Sequence, residues 1–135
     1  MNEVEFVFPF KTRAVSITGA RCALNCAHCN HHYLEQMTGI SVLKHGKGIK
    51  SVLLSGGCDE NGEVPLLKFK KQILALKKKY KIIAHTGLVA PEKARELKGL
   101  VDVVSFDFPP STRAVREVFG IKKTRGNYAE SLAAL

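Results

Sequence analysis

No apolar stretch in this 135-residue chain approaches the roughly eighteen residues that a membrane-spanning helix needs. The opening MNEVEFVFPF has no basic segment followed by a long apolar core, so no secretory leader is legible. The chain therefore reads as cytoplasmic, in a reducing compartment where stable disulfides are uncommon. Acidic residues are few, 12 against 21 Lys and Arg, for a formal net charge of +9. The basic run KFKKQILALKKKYK carries no aromatic on its charged face, which leaves a stacking platform for single-stranded nucleic acid unsupported. A solvated helix face or a surface for an acidic partner fits that run better. A second C-x2-4-C knuckle is missing, and structural zinc sites usually use two. Asn30 rather than histidine follows Cys29, which excludes a c-type haem attachment.

What is present is a cysteine triplet. Cys22, Cys26 and Cys29 fall in GARCALNCAHCNHHYL with the spacing C-x3-C-x2-C, directly after the apolar run AVSITG. Cysteine serves iron–sulfur clusters, zinc and disulfides alike. Three thiolates can hold three irons of a [4Fe–4S] cube and leave the fourth open to a small-molecule ligand. Zinc bound by the triplet with His31 or His32 is the competing Cys3His reading. The fourth cysteine, Cys58, is a cluster ligand, a reactive thiol or a small space-filling residue.

The remaining chain alternates short apolar runs with helical patterns. AVSIT (14–18), SVLLS (51–55), KIIAH (81–85) and VDVVSFDF (101–108) read as strands buried on both faces. From Pro65 to Tyr80, Leu66, Phe69, Ile73, Leu76 and Tyr80 form one apolar stripe, with lysines on the rest of the helix. A second helix opens at Pro91, with Glu92 and Glu96 complementing its N-terminal half and Gly99 as its stop. A third spans Ser111 to Phe119, ahead of Gly120. An irregular first helix should run from Cys29 to His45, and NYAESLAAL should begin a last one, with Asn127 as N-cap. Such alternation predicts an α/β fold with a parallel sheet, as an open sheet or a closed barrel. Either way, functional residues gather at the carboxyl ends of the strands. The cysteine loop, SGGCDENG, HTG and SFDFPP all fall there.

These strand-end segments resemble the radical S-adenosylmethionine (SAM) superfamily, over about residues 14–132. The resemblance implies a TIM-type barrel, with residues 1–135 as a single domain. It would contribute about four βα units, half to two-thirds of the barrel, with the C-terminal units missing. It implies a [4Fe–4S] cluster on Cys22, Cys26 and Cys29, with SAM on the open iron. It also implies an outside reductant, a ferredoxin or flavodoxin, whose electron cleaves SAM to methionine and a 5′-deoxyadenosyl radical that abstracts hydrogen. Gly56 and Gly57 match the glycine-rich segment that offers its backbone to SAM, and Cys58 stands where the family often has glutamate. Ser105 and Asp107 match the strand-4 pair that meets the SAM ribose. His28 takes the place of the aromatic or apolar residue that packs on adenine. His85 and Thr86 would line the substrate side, and His31 and His32 would shield the cluster, contact substrate or stay exposed.

The stretch IIAHTGLVAPEKARELKGLVDVVSFDF looks like the third and fourth βα units of biotin synthase and its relatives. VLLSGG and IIAHTG lack the cysteines that hold biotin synthase's second cluster, so a standard biotin synthase is not implied. Sulfur insertion of the biotin or lipoyl synthase type, with an acidic carrier protein as partner, is the corresponding expectation. Four βα units leave strand edges and an apolar face to be covered. A longer or split protein, a barrel completed by a second subunit, and a non-catalytic cluster scaffold or electron carrier each satisfy that need.

Overall fold

The computed structural model describes residues 9–43 and 46–135. Five parallel strands form one sheet, β1 (Thr12–Ser16), β2 (Thr38–Gly39), β3 (Ser51–Ser55), β4 (Lys81–His85) and β5 (Val103–Ser105), in the order β2-β1-β3-β4-β5. β3 and β4 match the expected strands residue for residue. β1 starts two residues earlier than expected, because Thr12 pairs with Ser51 and their hydroxyls meet at 2.7 Å. The ladder still carries on beyond it, since Ile17 N donates to Ser55 O. β5 is shorter than the 101–108 run. Asp102 is drawn off to accept from Ile82 N at 2.7 Å and to meet Lys77 at 2.8 Å.

The sheet is not buried on both faces, contrary to the reading of its apolar runs. Val15, Val52, Leu54, Ile82 and Ala84 face a core completed by Leu66, Ile73, Leu97 and Leu100. The residues of opposite parity, paired in register as Ala14, Leu53, Ile83 and Val103, lie on the other face, where Ala14 and Val103 are exposed. Period-two alternation is thus hidden in the sequence by apolar residues on both sides. The α/β alternation and the parallel sheet are as predicted. Closure into a barrel is not seen among the described residues, where β2 and β5 are the sheet's two edges.

The helices depart from expectation where turn chemistry intervenes. After the cysteines only α1 (His32–Glu35) forms. Asn30 (φ 44°) and His31 (φ 62°) are left-handed, which breaks any continuous helix from Cys29. Thr38 and Gly39 then join the sheet, and Ile40–Val42 make a 3-10 turn. The expected end of that helix, His45, lies outside the described residues. The lysine-rich helix is a 3-10 turn, Leu66–Phe69, running into α2 (Lys70–Lys77). Its apolar stripe is used as read. Leu66 and Ile73 are buried, while Phe69, Leu76 and Tyr80 pack against the same core.

α3 (Pro91–Glu96) starts with Pro91 in its first turn beside Glu92, and Gly99 follows at φ 80°. Glu96 is the last residue of α3, so only Glu92 complements the N-terminal end of the helix dipole. α4 (Thr112–Ala114) widens into a π-helical turn, Val115–Phe119. α5 (Arg125–Ala134) is capped by Thr124, not by Asn127. Asn127 sits three residues in, and its side chain accepts from Thr124 N at 3.0 Å, closing a capping box.

Two measurements test this account. Ile73→Ala empties a fully buried site beneath β3 and β4, and should lower unfolding free energy by about 2–5 kcal/mol in urea titrations. The Ile82 amide and the Lys77 ammonium hold the Asp102 carboxyl below the ordinary aspartate range. A depressed carboxyl stabilises the fold above its unfolded value and loses that contribution as pH falls through the folded one. Asp102→Asn should therefore lower the urea midpoint at pH 7, with the gap to wild type closing as pH falls below about 4.

Candidate functional site

The carboxyl ends of β1 and β3 are joined by the two loops that follow them. Cys58 O accepts from Ala23 N at 2.9 Å, and Cys58 N donates to Cys22 Sγ at 3.3 Å. Gly57 N donates to Thr18 Oγ1 at 2.7 Å. A Cβ on Gly57 would stand 1.8 Å from Arg21 O and 2.5 Å from Cys22 Cα. Glycine is therefore required here by the backbone of the cysteine loop itself. Beyond this contact, Asp59 Oδ1 accepts from Asn61 N and Glu63 N, an Asx turn that folds CDENGE back. Val64 N then donates to Thr86 O, and Leu88 N to Gly62 O, so the loop after β4 is locked to the loop after β3.

Cys22, Cys26, Cys29 and Cys58 all line one cavity of about 340 Å³, with His28, Gly56, His85 and Asp107. Its wall is completed by Phe119 and Tyr128, from the π-helical turn and α5. Ala27 N donates to Val118 O at 2.8 Å, which ties the cysteine loop to that turn. His28 meets the Phe119 ring edge-on at 5.5 Å, and Phe119 stacks on Tyr128 at 6.1 Å. Phe119 and Tyr128 belong to a second small core with Leu88, Val115 and Ile121. No sequence motif marked those two aromatics, because only the tertiary fold brings α5 up to the cysteines.

Burial pushes the Cys58 thiol up to about 12, with further upward contributions from Cys22, Cys26, Asp59 and Cys29. Cys26 is raised by burial first, then by Cys22 and Cys29. Tyr128 is pushed up to about 12, chiefly by burial, with Cys58, Cys26 and Asp107 adding to it. The surroundings of Cys26, Cys58 and Tyr128 thus disfavour negative charge, and a bound cationic centre would reverse that preference. Among the described residues, no three His, Cys, Asp or Glu side chains converge closely enough to hold a single metal ion. The cysteines border a shared space and do not aim at one point. Donors to a cluster bind different irons, so they need not share a focus as zinc ligands must.

A second cavity of about 480 Å³ adjoins the first on the open face of the sheet. Ser105 lines it with Ala14 and Leu53, while Tyr33, Met37, Ser55, His85 and Asp107 line both cavities. Asp107 lies beyond β5, so simple strand alternation does not account for its sharing a cavity with Ser105. Hydrogen bonding from His85 holds the Asp107 carboxyl below the usual range, against the effect of burial. Of the sequence-predicted residues, Cys22, Cys26, Cys29, His28, Gly56 and Asp107 are brought together, and Ser105 borders the adjoining space. Gly57 stands behind the wall with its N–H engaged by Thr18. Thr86 is fully buried, and its hydroxyl donates to Gly87 O. His31 and His32 line neither cavity; His32 meets Gln36 at 2.9 Å.

Gly57→Ala should separate the two loops, lowering the thermal midpoint and exposing Cys58 to thiol-reactive dye, whereas Gly99→Ala, with open space around it, should leave the dye reaction unchanged. No helix among the described residues is long and apolar enough to cross a membrane. No family model, curated protein or solved structure matches this chain.

Proposed function

We propose that this chain is a radical SAM core. Cys22, Cys26 and Cys29 hold a [4Fe–4S] cluster, and Gly56, His28, Ser105 and Asp107 receive SAM beside it. The observation that carries this reading is the shared cavity: three cysteines in C-x3-C-x2-C border the same space as Gly56, His28 and Asp107. When bound, the cluster supplies the electron that cleaves SAM reductively to methionine and a 5′-deoxyadenosyl radical.

The chain's own residues do the rest. The Cys58 amide donates to Cys22 Sγ, a contact that orients this ligand and would tune its electron density. Gly57 lets the loop after β3 lie against the cysteine loop and so fixes that amide. His28, set nearly at right angles to Phe119 on the cavity wall, is the ring we assign to adenine. Asp107 offers a carboxylate to ribose hydroxyls, and Ser105 adds a hydroxyl from the adjoining space. Phe119 and Tyr128 keep water from the thiol side. The apolar wall around Ala14, Leu53 and Met37 suits a substrate with saturated carbons, and sulfur insertion is the reaction type we favour.

The finer architecture we propose is a TIM-type barrel of which this sheet is part, since helices cover one face and the other is open. A ferredoxin or flavodoxin would deliver the electron. Exposed Lys68, Lys70, Lys71 and Lys78 on the α2 face suit an acidic partner, such as a reductant or a carrier protein.

The test is anaerobic reconstitution with iron and sulfide. About four irons per chain should bind. Cys26→Ala should lose them, and SAM should change the electron paramagnetic resonance signal of the reduced cluster. Zinc in place of iron, or a cluster blind to SAM, would sink the proposal.

A further inference from the structure

Three polar side chains from three successive strand ends form a chain of hydrogen bonds along the wall shared by the two cavities. Ser55 Oγ lies 3.3 Å from His85 Nδ1, and His85 Nε2 lies 3.0 Å from Asp107 Oδ2. Ser55 and His85 end β3 and β4, and Asp107 follows β5, so the rigid sheet sets the spacing. His85 is mostly enclosed, while Asp107 is two-thirds exposed. An exposed aspartate two residues past a strand end is not held by packing. Its hydrogen bond to His85 is what directs it.

The partners determine the proton positions. An ionised Asp107 only accepts, so Nε2 must carry the ring proton. In the neutral ring Nδ1 is then the acceptor, and the Ser55 hydroxyl donates its hydrogen bond to it. His85 engages Oδ2 of Asp107, which leaves Oδ1 to face a ligand. We propose that His85 is a positioning residue that turns Asp107 into a fixed acceptor for a vicinal diol, with Ser55 setting the tautomer. This inference rests on the SAM reading, where the diol is that of the ribose. It assigns His85, a residue otherwise open to a substrate-side role, to cofactor orientation.

Two experiments separate this inference from the reading it rests on. The first needs no cofactor. Histidine side-chain nitrogen–proton correlation spectra of the full chain, near pH 8, should show His85 as the Nε2–H tautomer, its signal identified by its loss in H85Q. Asp107→Ala should perturb that signal. An Nδ1–H tautomer, or a signal indifferent to Asp107→Ala, would overturn the relay.

The second measures SAM affinity by equilibrium dialysis on the reconstituted protein. His85→Phe should weaken SAM binding about tenfold, in line with the loss of one hydrogen bond to a charged group. His85→Gln, whose amide can still donate to Asp107, should recover most of that loss. Circular dichroism and iron content serve as controls on folding, and Ser55→Ala, a smaller change, should weaken binding in the same direction. Wild type that binds SAM while His85→Phe binds equally well would overturn this inference alone. Wild type that holds four irons yet ignores SAM would overturn the proposed function and the inference with it.

Discussion

The contact between the loop after β1 and the loop after β3 is the constraint on which the upper half of this molecule depends. Arg21 and Cys22 press against Gly57 so closely that no side chain fits between them. That approach places the Cys58 amide on Cys22 Sγ and Ala23 N on Cys58 O. With those bonds made, the thiol of Cys58 is forced into the same space as the triplet. Its raised pKa follows from that burial. The glycine pair has two separate tasks: Gly57 admits the neighbouring loop, and Gly56 opens onto the cavity.

The sheet supplies the other half of the arrangement. Parallel strands in register bring Ser16, Ser55, His85 and Ser105 to the same level at their carboxyl ends. Helices cover the opposite face, so Ser55, His85 and Ser105 look onto open space, while Ser16 is buried and donates to Gly19 O. That asymmetry makes the face usable for ligand binding and leaves it in need of cover. Apolar residues such as Leu53 and Ile83 would be costly to leave wet over a large area. The partial barrel proposed above would supply that cover.

Much of the architecture was legible. Strands β3 and β4, the Pro91 start of α3 and the stripe from Leu66 to Tyr80 follow from apolar periodicity and helix signals in short windows. The errors lie where a side chain or a turn overrode the pattern. Left-handed Asn30 and His31 cut the first helix to one turn, and β2 formed in its place. Thr124 took the cap expected of Asn127, because the two satisfy each other across the same helical turn. Asp102 and the β4 amide shortened β5.

By itself, the sequence determined the α/β alternation, the parallel sheet, the cysteine spacing and the placement of polar residues at strand ends. All of these are local: they depend on periodicity, on propensity and on separations of a few residues. Only the tertiary structure decided which strand face would be covered, since both faces carry apolar side chains. It alone brought Cys58, Phe119 and Tyr128 to the triplet, and Asp107 to His85 across 22 residues. Those meetings depend on loop closure between separate strands and on α5 packing back over the cysteine loop. No short window of sequence contains that information.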